Sequence, residues 1–171
     1  MHIREEAAER HTLSVIVDNE AGILARIAGL FSARGYNIES LTVAGVTEDE
    51  TISRITIVTN GAPAMVDQII AQLGRLVPVH KVTDLTELGP HVERELALVK
   101  VVGTGDKRIE ALRLAEVYRA HVVDATTSSF VFEVTGGQEK INKFLELMRE
   151  VGLVEVARTG AAAISRGREP A

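Results

Sequence analysis

Leu13, Val15 and Val17 fall on alternate positions, and a few residues later the apolar spacing becomes that of a helix at Ile23, Leu24, Ile27, Leu30 and Phe31. A period-two run passing into a 3.6-period run dictates a strand that feeds a helix. The join, Asn19-Glu20-Ala21-Gly22, is small and polar, and it lies where a helix presents unpaired backbone N–H groups. Such an end attracts a carboxylate. Gly35-Tyr36-Asn37-Ile38 then brings a second Asn to the start of the next strand. Two Asn and a helix N-terminus, with no catalytic group beside them, suggest a small amino acid that is bound and not altered.

The alternation of patterns continues along the chain. Strand-like runs are expected near Thr12–Val17, Asn37–Val46, Ile52–Thr59 and Val77–Leu85. Helices are expected near Gly22–Arg34, with Gly35 as a left-handed terminator, and from Pro63, which suits a first helical turn. The second helix buries Val66, Ile69, Ile70, Leu73 and Leu76 in this reading. Leu88-Gly89-Pro90-His91 breaks the pattern, and the order begins again. Leu96–Val102 reads as a strand and Lys107–Arg119 as a helix with Ile109, Leu112, Ala115 and Tyr118 along one side. His121–Thr127 and Phe130–Thr135 read as strands. A helix with Ile141, Phe144, Leu145 and Met148 on one stripe follows, then a strand at Val154–Arg158. Residues 1–10 read as a frayed polar arm and Ser165–Ala171 as a mobile tail.

The fold class is therefore α+β. Two consecutive ferredoxin-like βαββαβ units are expected, each an antiparallel sheet with helices on one face. One sheet face is left bare in each, with Ile16, Val43 or Ile57 as candidates to lie there. About seventy residues per unit is close to the size at which a lone core is marginal, so at least a dimer is expected.

Composition narrows the function. Apolar residues make up 46% of the chain, aromatics only 4%, and the formal charge is -5. A negative chain without aromatic platforms is a poor fit to nucleic acid. With no Cys, disulfides, thiolate nucleophiles and thiolate metal sites are excluded. No run approaches the roughly 18 apolar residues of a membrane span. The charged opening Met1–Glu6 carries no apolar signal core, so a cytoplasmic protein is expected.

The residues alone allow two readings of the Asn19–Leu24 loop. In one, Asn19 or Glu20 caps the helix and Gly22 is there for backbone shape. In the other, helix N–H groups take a ligand carboxylate while an Asn side-chain oxygen or a strand-edge carbonyl takes its ammonium. Asn37 could complete that site from the same chain or a neighbour. Gly103-Thr104-Gly105 has Arg108 where a dinucleotide fingerprint needs a third Gly, so it reads as a turn. The five His are scattered, and His80, His91 or His121 are the ones to inspect for a metal site. Thr47-Glu48-Asp49-Glu50 reads as a solvated turn. Neither a Gly-x-Ser-x-Gly elbow nor a His-Glu-x-x-His pattern occurs.

The run from Asp18 to Arg26 and the run Leu30-Phe31-Ser32-Ala33-Arg34-Gly35-Tyr36-Asn37-Ile38-Glu39-Ser40-Leu41-Thr42-Val43 resemble an ACT domain. More closely, they resemble the small regulatory subunits of acetolactate synthase (acetohydroxyacid synthase). The likeness continues through Ser53–Val58, His91–Lys100 and Ile164-Ser165-Arg166-Gly167. It implies an ACT domain over residues 11–86, for effector binding and dimerisation, and a C-terminal ferredoxin-like domain over 91–165. It implies a subunit that does not catalyse but binds the large catalytic subunit and raises its activity. Feedback inhibition by valine or another branched-chain amino acid is the further implication. Thiamine diphosphate, Mg and FAD are then expected on the catalytic partner, with no cofactor or metal on this chain. The effector would sit between two subunits, with Asn19, Gly22, Ile23 and Leu24 on one wall and Asn37 and Ile38 on the other. The rival classes are a free-standing enzyme on amino or keto acids, and an amino-acid-sensing ACT module controlling another protein.

Overall fold

The computed structural model describes residues 7–171. Strand β1 (Glu9–Asp18) leads into α1 (Ile23–Ala33), and β2 (Ile38–Gly45) and β3 (Ile52–Gly61) form a hairpin. Then come α2 (Pro63–Leu73), β4 (Val79–Asp84) and a short helix α3 (Leu85–Leu88). Strand β5 (His91–Val102) and α4 (Asp106–Val117) open the second βαββαβ run, followed by β6 (His121–Ala125), β7 (Ser129–Gly136), α5 (Gln138–Val151) and β8 (Leu153–Arg158). A last strand, β9 (Ala162–Ser165), lies beyond it. The chain divides into two compact units, one running up to Val92 and including Ala162–Ala171, the other Glu93–Ala161.

In the first unit the sheet order is β2-β3-β1-β4 and every pairing is antiparallel. Leu13, Val15 and Val17 of β1 and Ile55 and Ile57 of β3 share one face, as their spacing demands. They pack with Ile23, Ile27 and Phe31 of α1 and Val66, Ile69 and Leu73 of α2. Gly35 adopts the left-handed conformation that ends α1, with φ 67°. Pro63 stands in the first turn of α2. In the second unit the order is β6-β7-β5-β8. Its core joins Ala97, Val99 and Val101 to Phe130, Phe132 and Val134, under the expected stripe Ile141, Phe144, Leu145 and Met148.

Several expectations are corrected. Residues 1–6 of the proposed polar arm lie outside the described residues, but Glu9 and Arg10 are strand, in register with Gly61 and Asn60. Backbone pairing carries β3 past the Asn60-Gly61 turn signal. Leu85, read as the last residue of a strand, instead opens the helical turn Leu85–Leu88, which Asp84 caps by accepting from the N–H groups of Thr86 and Glu87. In α4 the buried residues are Ala111 and Ala115, while Ile109 and Leu112 are 50% and 41% exposed. Of the expected stripe, Ala115 and Tyr118 thus pack on the core and Ile109 and Leu112 do not.

The bare sheet face is also corrected for the first unit. Ile57 belongs to the helix-covered core. Val43 is level with Ile55 and so points to that same side, but from an edge strand that leaves it 45% exposed. Ile16 alone of the three lies on the opposite face, with Thr12 and Ser14. That face is not bare: Thr12, Ser14, Thr56 and Val58 are all buried. The tail read as mobile returns to the first unit, where Ala163 and Ala171 pack with Leu85. Ala162, Ala163 and Ile164 line a hollow together with Thr42, Ala44, Arg54 and Thr56.

Candidate functional site

The loop between β1 and α1 is held by its backbone. Asp18 N–H donates to Pro78 O, and Asn19 N–H donates to Thr51 O, both at 2.8 Å. Gly22 then turns the chain into α1 with φ 87°, and no side chain caps the helix. A Cβ at Gly22 would meet nothing within 4 Å. The left-handed backbone, not crowding, is what calls for glycine there. Asn19 and Glu20 are therefore not helix caps. Among the described residues the N–H groups of Leu24 and Ala25 have no acceptor, so the first turn of α1 faces outward with free donors.

The candidate residues around this turn divide by burial. Ile23 sends its side chain into the core, leaving only its backbone on the surface. Leu24 is 40% exposed beside the free N–H groups. Asn19 is exposed and its amide has a partner: Nδ2 donates to Glu50 O at 2.8 Å. Among the described residues Glu50 is one of two non-glycine residues with positive φ, at 55°. The turn that carries it is knitted together by Asp49, whose carboxylate accepts from Thr51 N–H at 3.2 Å and Thr51 Oγ1 at 2.8 Å. Hydrogen bonds from Thr47 and then Thr51 hold the Asp49 carboxyl below its ordinary pKa. Nearby, His80 Nε2 lies 2.6 Å from Asp18 Oδ1.

Asn37 and Ile38 stand at the other end of the same sheet. Asn37 is exposed, and its backbone carbonyl accepts from Thr59 Oγ1 at 2.6 Å. Ile38 is half-buried against the core. Ile38 is level with Thr59 and Thr59 with His11, whereas Ile52 is level with Asp18. From His11 to Asn19 the strand climbs eight residues, about 26 Å at roughly 3.3 Å per residue. The structure therefore does not bring the two Asn walls together within one chain. Among the described residues the β2 edge between them has no further strand in this sheet.

The remaining candidates have structural occupations. Gly103-Thr104-Gly105 leads into α4, where the Arg108 guanidinium sits 3.8 Å over the Phe130 ring. His91 Nδ1 lies 3.3 Å from Gly89 O, and His121 is exposed on β6. Among the described residues His11, Asp84 and Glu87 come within ligating distance of one another, a grouping that spacing along the chain did not single out. There Asp84 Oδ2 takes His11 Nδ1 at 2.7 Å while Oδ1 caps α3. The residues that sequence reasoning missed are Glu50 and Thr51. They lie in an acidic turn whose composition says only that it is solvated.

No helix among the described residues is long and apolar enough to cross a membrane. Residues 13–81 match the family model of the AHAS small subunit-like ACT domain. Residues 94–167 match that of the small subunit of acetolactate synthase. A probable acetolactate synthase small subunit of Archaeoglobus fulgidus is 48% identical, over 94% of this chain and 99% of that one. The acetolactate synthase isozyme 3 small subunit of Escherichia coli K12 is 47% identical, over 92% of this chain and 96% of that one. The crystal structure of an acetolactate synthase small subunit from Thermotoga maritima superposes with a TM-score of 0.85 at 36% identity, covering 94% of this chain and 99% of that one. On these matches, along nearly its whole length and in both units, the chain belongs to the acetolactate synthase small-subunit family.

Proposed function

We propose that this chain is a non-catalytic regulatory subunit that raises the activity of the acetolactate synthase catalytic subunit and makes it sensitive to valine. The effector cleft is built by two copies. The observation that carries this reading is the separation of Asn19 and Asn37 along one sheet. If two β2 edges pair antiparallel about a two-fold axis, the Asn37 end of one copy comes level with the Asn19 end of the other.

In that arrangement each group of an amino acid meets a complementary one. The carboxylate takes the free N–H groups at the start of α1, an interaction of about 0.3–1 kcal/mol at an exposed helix end and up to about 2 when partly buried. The ammonium takes the Asn19 side-chain oxygen. The branched aliphatic group lies against Leu24 and the partner subunit's Ile38. Valine inhibits only if it binds the inhibited arrangement more tightly than the activating one, and about 1–3 kcal/mol of coupling gives a several-fold to hundred-fold effect.

Reconstitution with the catalytic large subunit tests the proposal. Acetolactate formation should rise on adding this chain and fall again with valine. Turnover of pyruvate by this chain alone, or a valine-insensitive complex, would contradict it.

A further inference from the structure

We infer that the Glu50 main-chain carbonyl fixes the Asn19 amide so that only its oxygen is offered to the ligand, which makes the site select an α-amino acid over the 2-oxo acid of the same carbon skeleton. The inference rests on the effector reading above and adds what sets its specificity.

A primary amide is ambivalent, since one end donates and the other accepts. A free Asn could turn either end to a ligand and would serve an ammonium or a carbonyl equally. Here that freedom is removed. A backbone carbonyl can only accept, so the atom of Asn19 that lies 2.8 Å from Glu50 O must be the nitrogen. The opposite atom, Oδ1, carries no hydrogen bond among the described residues. A ligand meeting this face must bring a donor. An α-ammonium does. A 2-oxo group brings a second acceptor, and two oxygens face each other without a proton between them.

The turn is shaped to hold that carbonyl in place. Glu50 has φ 55°, a conformation that disfavours residues with a Cβ by about 1–2 kcal/mol. Around it Glu50 N–H donates to Thr47 O at 3.0 Å, and Ile52 N–H donates to Thr47 Oγ1 at 3.2 Å. Asp49 fastens Thr51, and Asn19 N–H reaches Thr51 O. Asn19 is thus gripped at its backbone and at its amide by consecutive residues of one turn. Glu50 is a positioning residue that acts through its main chain, and its own side chain is exposed. In chemical terms the site responds to the product of an amino transfer and ignores the oxo acid that such a transfer consumes.

The test is calorimetric titration of the full chain with L-valine and with 2-oxoisovalerate. Wild type should favour valine by at least about a hundredfold, because a group left facing an unpaired acceptor loses far more than a methylene's worth of affinity. Glu50→Gly, which tolerates positive φ, should keep that ratio. Glu50→Val, whose branched side chain resists it, should free the amide and lower the ratio at least about tenfold. Asn19→Ala provides the check if Glu50→Val does not fold: it removes the fixed oxygen, so valine should lose at least about tenfold more affinity than the oxo acid and the ratio should fall. Equal binding of both ligands by wild type overturns the inference while leaving the effector reading intact. An unchanged ratio in folded Glu50→Val, or equal loss of both ligands in Asn19→Ala, also overturns it. Failure of wild type to bind either ligand removes the effector reading, and the inference with it.

Discussion

His11 and Asp84 meet at 2.7 Å, Nδ1 to Oδ2, in a pair almost closed to solvent, with His11 1% exposed. They join the start of β1 to the end of β4, at the end of the sheet where Asn37 stands. Among the described residues the other ring nitrogen, Nε2, has no hydrogen-bond partner, and Asp84 is the polar anchorage of the ring there. The same carboxylate caps α3 through its second oxygen.

Asp84→Ala should therefore cost the first unit a cap and a buried hydrogen bond together, about 1–3 kcal/mol. Denaturant unfolding of wild type and variant, compared at equal slope, measures this. A loss within error of zero would mean the pair contributes nothing to folding.

Gly22→Ala should weaken effector binding more than it weakens the fold. The added Cβ meets no atom within 4 Å, so its effect is the cost of holding φ 87°, about 1–2 kcal/mol. The chain can relieve this by turning the loop, which moves the N–H groups of Leu24 and Ala25. Calorimetry with valine should show affinity falling, while thermal unfolding shifts by only a few degrees.

The Asp49 turn should be sensitive to acid. Its carboxyl is held below its ordinary pKa by hydrogen bonds from Thr47 first and Thr51 next. A depressed carboxyl pKa contributes order above the unfolded value, and that order is lost as pH falls through the folded value. Protection of the Thr51 amide, which donates to Asp49, should therefore fall across the acidic window below the ordinary aspartate pKa. In Thr47→Val the Asp49 midpoint should move back up. Amide exchange and carboxyl chemical shifts followed against pH report both.

Much of this architecture was legible from apolar spacing. The β1 alternation and the α5 stripe carry large aliphatic and aromatic residues whose period admits one reading, and both pack as that period demands. In α4 the fully buried residues are Ala111 and Ala115. Next to them Arg108 covers Phe130 with its guanidinium, a cation–π contact that spacing rules count as solvent-facing. The larger Ile109 and Leu112 therefore drew half of the expected stripe outward, while Ala115 and Tyr118 do pack on the core. Burial of Thr12, Ser14 and Thr56 was hidden for another reason: Thr86 of α3 meets Thr12, Arg54 reaches Ser14, and Ala162, Ala163 and Ile164 come back beside Thr56 from far along the chain.

The candidate site was legible in kind and illegible in connection. Asn19, Gly22 and Asn37 were visible as residue types at a helix entry and a strand start. That Ile23 would be a core residue follows from its helical phase. That Asn19 would be held by Glu50 depends on a left-handed residue in an acidic turn, for which composition carries no signal. The distance between the two Asn walls emerged only from the register of three strands.

A subunit-mixing experiment tests the shared cleft most directly. Asn19→Ala and Asn37→Ala chains are each unfolded, refolded alone and refolded as an equal mixture, and valine binding is titrated. Each variant alone should lack an intact cleft. In the mixture, two-fold pairs of unlike chains carry one wild-type cleft and one doubly altered one, so about a quarter of wild-type sites should return. A mixture that binds no more valine than the separate variants would contradict a cleft built from Asn19 of one copy and Asn37 of the other.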